Sequence, residues 1–132
     1  MKGHSVSKVG NEWLFSLSNS DRIITHKLCK QGKVSLGDIR VYSYVGMIKF
    51  YNKLYALSKA SQQLPSNRLN VCDRDSLDGL LSNEGKLQLE YLINIGYIER
   101  DRYTYCFIKD EVKIEPSLIC IYSKVSNYIS NY

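Results

Sequence analysis

Apolar positions recur at helical spacing through most of the chain and at strand spacing in a few short runs. The longest helical stretch is "SLGDIRVYSYVGMIKFYNKLYALSKASQQL", residues 35–64. Val41, Tyr44, Val45, Ile48, Tyr51 and Tyr55 follow an i, i+3, i+4, i+7 rhythm, and Leu54 and Leu57 widen the stripe. Lys49, Lys53, Ala56 and Ala60 fall on the opposite face, Gly46 weakens the middle by about 1 kcal/mol, and Pro65 closes the segment. Ahead of it, "EWLFSL" (12–17) alternates Trp13, Phe15 and Leu17 as a short strand does. "SNSD" then offers Ser20 or Asp21 as a helix cap, and a helix through "RIITHKLCKQ" runs to Gly32. That helix buries Ile24 and Leu28 and exposes Arg22, Lys27 and Lys30; a strand over 22–28 is the competing reading.

The second half changes rhythm more often. "LNV" (69–71) is β-prone. "DRDSLDGLL" opens on capping residues and sets Leu77, Leu80 and Leu81 on one face. A further helix spans about Glu84 to Ile95, with Leu89, Leu92 and Ile95 inward and Gly96 as its stop. "YIER" and "YTYCFI" form a hairpin turning at Asp101, with Tyr103, Tyr105 and Phe107 on one side and Thr104, Cys106 and Ile108 on the other. In the tail, Leu118, Ile121, Val125, Tyr128 and Tyr132 step by three and four after Pro116. This is an a/d seam over two heptads: a terminal helix docked on its own domain, or a dimer seam. There is no internal repeat and no low-complexity tract.

The totals narrow the class. At 132 residues the default is one compact domain, and 44% hydrophobic residues suffice for a core. No apolar run is long enough to span a bilayer, so no membrane partner is expected. The N-terminal "MKGHSVSKVGNEWLF" lacks the apolar region of a secretory signal, and a cytoplasmic protein is expected. Cys29, Cys72, Cys106 and Cys120 form no CxxC pair. Free thiols are the simpler reading, ahead of a metal pair made by His26 and Cys29. Charge is unevenly spread: residues 1–68 hold 11 Lys and Arg against 3 Asp and Glu, whereas residues 69–132 hold 7 against 10. A basic half on a small protein points to an anionic partner. The 11 tyrosines suit half-buried positions, interfaces and base stacking alike.

Catalytic chemistry finds little footing. His4 and His26 are the only histidines, no nucleophile–base spacing or glycine-rich phosphate loop occurs, and helix capping accounts for Asp73 and Asp75 beside Asp78. The expectation is a non-enzymatic protein with no cofactor and no metal.

From residue 47 to 108 the order is long helix, short strand, short helix, turn, second helix, glycine, hairpin. This order resembles a winged helix-turn-helix. Leu89 and Leu92 precede Gly96 by seven and four residues; Tyr97 and Ile98 follow it, then Glu99, Arg100, Asp101 and Arg102. The resemblance implies an α+β fold with a winged-helix core at 41–110, a basic extension at 1–40 packed on it, and a C-terminal strand or helix at 111–132. It implies that the second helix enters the major groove, presenting Ser82, Asn83, Glu84, Lys86, Gln88 and Glu90, while Arg100 and Arg102 sit on the wing. The chain departs from the family's pattern at Gly85, where a small or branched apolar residue is usual and which loosens the first turn, and in the two acidic residues of the reading face. The basic residues Arg22, Lys27, Lys30, Lys33, Arg40, Lys49 and Lys53 supply candidate phosphate contacts.

Two functions follow as expectations. One is a small transcriptional regulator that binds duplex DNA through Arg22, Lys27, Lys30, Lys33, Lys49, Lys53, Asn83, Lys86, Gln88, Arg100 and Arg102, and pairs with a second copy through Leu118, Ile121, Val125, Tyr128 and Tyr132. The other keeps the same shape as a protein–protein interaction module. The composition would suit a phage, viral or plasmid gene, and the module would then act as an inhibitor of a host protein.

Overall fold

The computed structural model describes residues 19–60 and 70–132. The strand read at 12–17 lies outside the described residues. The elements in order are α1 (Asn19–Lys30), α2 (Leu36–Ala60), β1 (Val71–Asp73), α3 (Arg74–Asp78), α4 (Asn83–Asn94), β2 (Ile98–Arg100), β3 (Thr104–Phe107) and α5 (Pro116–Ser130). The chain is thus α+β. Among the described residues no helix is long and apolar enough to cross a membrane. It divides into two compact units: Met1–Ile48 with Lys113–Tyr132, and Lys49–Val112.

In the first unit, residues 22–28 are helical, which removes the strand alternative. The helix already runs from Asn19, so Ser20 and Asp21 occupy its first turn and neither caps it. Thr25 is buried because its hydroxyl donates to the carbonyls of Asp21 (2.8 Å) and Arg22 (3.1 Å). Gly32, at φ 74°, ends the helix, and the Lys33 N–H reaches back to Leu28 O at 3.0 Å. The second helix starts on a reciprocal cap: Ser35 Oγ accepts from Asp38 N (3.0 Å) and Asp38 Oδ2 accepts from Ser35 N (3.1 Å). Leu28, Val34, Ile39 and Val125 form the core here, with Ile24, Cys29, Tyr42 and Ile129 against it. The tail helix α5 therefore docks within its own chain. Tyr42 and Tyr122 stack at 5.1 Å, and Lys124 Nζ meets Asp38 Oδ2 at 2.9 Å.

The second unit is built on a three-stranded antiparallel sheet in the order β1-β3-β2. Val71 pairs with Cys106 and Asp73 with Thr104 on one side, and Ile98 with Phe107 and Arg100 with Tyr105 on the other. Tyr51, Leu54, Leu77, Leu89, Leu92, Ile98, Tyr105 and Phe107 are buried. Tyr51 lies edge-on to Tyr97 at 5.4 Å and tilted against Phe107 at 5.7 Å. The α2 lysines Lys49 and Lys53 face outward, as the periodicity predicts.

Two expectations fail here. Leu80 is 60% exposed, because α3 closes at Asp78 and no further turn carries Leu80 to the face of Leu77. Tyr103 is 68% exposed, because pairing begins only at Thr104 and Tyr103 stands in the bend before it. The inward alternation holds for Tyr105 and Phe107 alone.

Candidate nucleic-acid interface

The second unit brings helix α4 and the β2–β3 hairpin together. Asp73 caps α3, accepting from Ser76 N at 3.0 Å, and Ser82 caps α4, accepting from Gly85 N at 3.0 Å. Gly85 is buried, and a Cβ there would meet Ser82 Oγ at 3.4 Å and Leu81 Cβ at 3.5 Å, ordinary contact distances that leave room for an alanine beside the turn between the helices. Leu89, Leu92 and the flanking Ile95 point inward. This leaves Asn83, Glu84, Lys86, Leu87 and Glu90 on the outer face of α4, with Gln88 half-buried. Gly96, at φ 85°, ends the helix with the Tyr97 N–H on Leu92 O at 2.9 Å, and the chain enters β2 directly.

The hairpin tip is fixed by a residue that the sequence does not single out. Arg74 Nη1 donates to the carbonyls of Asp101 (2.8 Å) and Arg102 (3.1 Å), and its N–H donates to Tyr103 O at 2.9 Å. Its guanidinium also lies over the Tyr105 ring at 5.7 Å. The Tyr105 hydroxyl in turn donates to Asp78 at 2.7 Å. Arg74 thus clamps the turn from the side of α3, and Arg102 is displayed over the exposed Tyr103 ring at 5.4 Å. No local pattern could reveal this clamp, since its carbonyl partners lie 27 and 28 residues away.

Arg100 is placed differently from Arg102. It forms an ion pair with Glu90 on α4. The Glu90 carboxylate pushes the Arg100 pKa further up, holding the guanidinium charged. The pair ties the outer face of the helix to the edge of the hairpin and offsets one of the two arginine charges there.

The remaining candidates are spread over both units. Arg22, Lys27, Lys30 and Lys33 are exposed in the first. There Lys27 Nζ lies over the Tyr132 ring at 5.8 Å and Lys33 Nζ over the Tyr128 ring at 5.9 Å. Of the heptad positions, Val125 is fully buried, Leu118 and Ile121 are half-buried, and Tyr128 and Tyr132 are exposed. Among the described residues, the first unit holds seven Lys and Arg against three Asp and Glu, and the second holds eight against nine. The positive excess among the described residues therefore belongs to the first unit.

No family model, curated protein or solved structure matches this chain.

Proposed function

We propose that the segment from α2 to β3 is a winged helix-turn-helix unit that binds duplex DNA and serves as a small transcriptional regulator. The element order and the β1-β3-β2 sheet order support this reading. The observation that carries it is the Glu90–Arg100 pair, which joins the outer face of α4 to the hairpin so that both present one surface. A helix of this kind enters the major groove by its first turns. Asn83 offers the two-point contact that suits adenine, Lys86 suits the guanine acceptors, and Leu87 suits a thymine methyl. Arg102, at the tip clamped by Arg74, meets the flanking backbone. The charge of the first unit adds sequence-independent attraction to phosphate.

Fluorescence anisotropy of labelled duplex DNA at about 50 and 200 mM salt tests it. Binding is expected to weaken by orders of magnitude between the two. Arg102→Ala lowers affinity across all sequences and reduces the salt slope by about 1. Lys86→Ala instead relaxes preference at one position. Absence of binding at the lower salt, or affinity and preference untouched by both variants, overturns the proposal.

A second reading is favoured by the balanced charge of the second unit and by its exposed Leu80, Leu87 and Tyr103. In it the same surface docks a partner protein, with Lys86 and Arg102 at the rim. A phage- or virus-encoded inhibitor of a host protein would act in this way. Duplex selectivity that depends on Lys86 excludes it.

A further inference from the structure

The first unit carries two exposed tyrosines that the duplex reading does not use. Tyr128 lies in the last turn of α5 and Tyr132 two residues beyond its end, and they are 37% and 53% exposed. Each has a lysine of the α1 region over its ring, Lys33 and Lys27. Beside them is an open hollow of about 240 Å³ lined by Lys124, Asn127, Tyr128 and Asn131. The Lys124 ammonium is engaged by Asp38, so the two amides and the ring are the groups left to address a ligand.

We propose that this face binds single-stranded nucleic acid, with Tyr128 and Tyr132 stacking on unpaired bases and Lys27 and Lys33 holding the phosphates between them. Bases paired and stacked in a duplex have no free face for such rings, whereas unpaired bases do. Tyrosine rings accept any base, and the amides of Asn127 and Asn131 offer both donors and acceptors to a base edge in the hollow. The charge is complementary: among the described residues the first unit holds the whole positive excess, and Lys124 is the one charged residue within α5. A solvated helix face ordinarily mixes acidic and basic groups. Helix-end compensation accounts for Lys27 and Lys30 in the last turn of α1. It does not account for Lys33, beyond the helix, or for two exposed tyrosines under lysines.

The test measures the full-length protein against a labelled oligothymidylate of about 15 nucleotides, and against a duplex of the same length, at about 50 mM salt. Tyr128→Ala with Tyr132→Ala is expected to weaken oligothymidylate binding by about 30-fold or more. Tyr128→Phe with Tyr132→Phe, which keeps the rings, is expected to retain it. Lys86→Ala with Arg102→Ala is expected to leave it unchanged, so the single-strand result stands or falls independently of the duplex reading. The proposal is overturned if the alanine pair binds like the wild type, or if the phenylalanine pair loses as much as the alanine pair. It is equally overturned if the oligothymidylate fails to bind, or if polyglutamate competes with it equally well, since the surface would then be a plain electrostatic one.

Discussion

Removing the hydroxyl of Tyr51 tests how the segment that follows the β2–β3 hairpin is anchored to the long helix. The ring is fully buried against Tyr97 and Phe107, and phenylalanine keeps that packing. The hydroxyl donates to Lys109 O and accepts from Lys109 N at 3.0 Å, so one atom satisfies both peptide groups of the residue that leaves β3. Next to it, Asn52 makes the same two-way pairing with Val112, donating to its carbonyl at 2.9 Å and accepting from its N–H at 2.9 Å. Two side chains of α2 thus serve as a substitute strand for residues 109–112. Tyr51→Phe orphans one donor and one acceptor. Each lost bond costs about 0.5–1.5 kcal/mol, since Lys109 regains some water, and the total comes to about 1–3 kcal/mol. With a urea slope of about 1–3 kcal/mol/M the midpoint falls by roughly 1 M with an unchanged slope. Amide exchange at Lys109 should quicken by about tenfold or more. Tyr55→Phe is the control: its hydroxyl meets Asp110 at 3.2 Å in an exposed setting, and its loss should cost under about 0.5 kcal/mol. A Tyr51→Phe midpoint indistinguishable from that of Tyr55→Phe, with Lys109 exchange unaltered, would refute the anchoring argument.

Two further predictions follow from the backbone and from the buried phenols. Gly96→Ala places a side chain at φ 85°, and since a Cβ there meets no atom within 4 Å, the cost is purely conformational, about 1–2 kcal/mol by urea unfolding; an alanine as stable as the glycine would mean that α4 can end in another way. Burial pushes the phenols of Tyr42, Tyr51 and Tyr105 up to about 12, with Asp21 adding to the effect at Tyr42 and Asp78 at Tyr105. Folding favours the neutral phenol, so this stability is complete below pH 10 and drains away as pH rises toward 12. The urea midpoint should fall between about pH 10 and pH 11.5, and a flat midpoint across that window would contradict the burial of these hydroxyls.

Helix identity was legible wherever apolar spacing and a terminating glycine agreed. Leu89, Leu92 and Gly96 placed α4 to within a residue, and Gly32 closed α1, because both glycines supply the left-handed turn that the Schellman bond needs. The long stripe on α2 was also readable, although Ser43, Met47 and Ser58 are buried as well. Two of these are polar, and Ser43 is tolerated only because its hydroxyl returns to Ile39 O at 3.0 Å. Leu80 and Tyr103 went wrong for one reason: each lies a step beyond the end of a short element, where periodicity has no authority. The Ser35–Asp38 cap is a local pattern and could have been read from residues 35–38. Arg74 could not, because its importance arises from carbonyls brought to it by the sheet.

The charge distribution shows why the site was harder to read than the fold. Counting along the chain puts the basic excess in residues 1–68, which includes Lys49, Lys53, Lys59 and Arg68. Folding assigns Lys49, Lys53 and Lys59 to the second unit, where acidic residues balance them, and returns Lys113 and Lys124 to the first. The positive field therefore does not belong to the helix and hairpin that could read a base. Affinity and selectivity are then separable. Neutralising Lys27, Lys30 and Lys33 should flatten the salt dependence of binding while sparing sequence preference, whereas changes at Asn83 or Lys86 should alter preference while sparing the slope. A protein that reads DNA through one unit and is drawn to phosphate by another must show this division, and one whose slope and preference change together at every position does not work in this way.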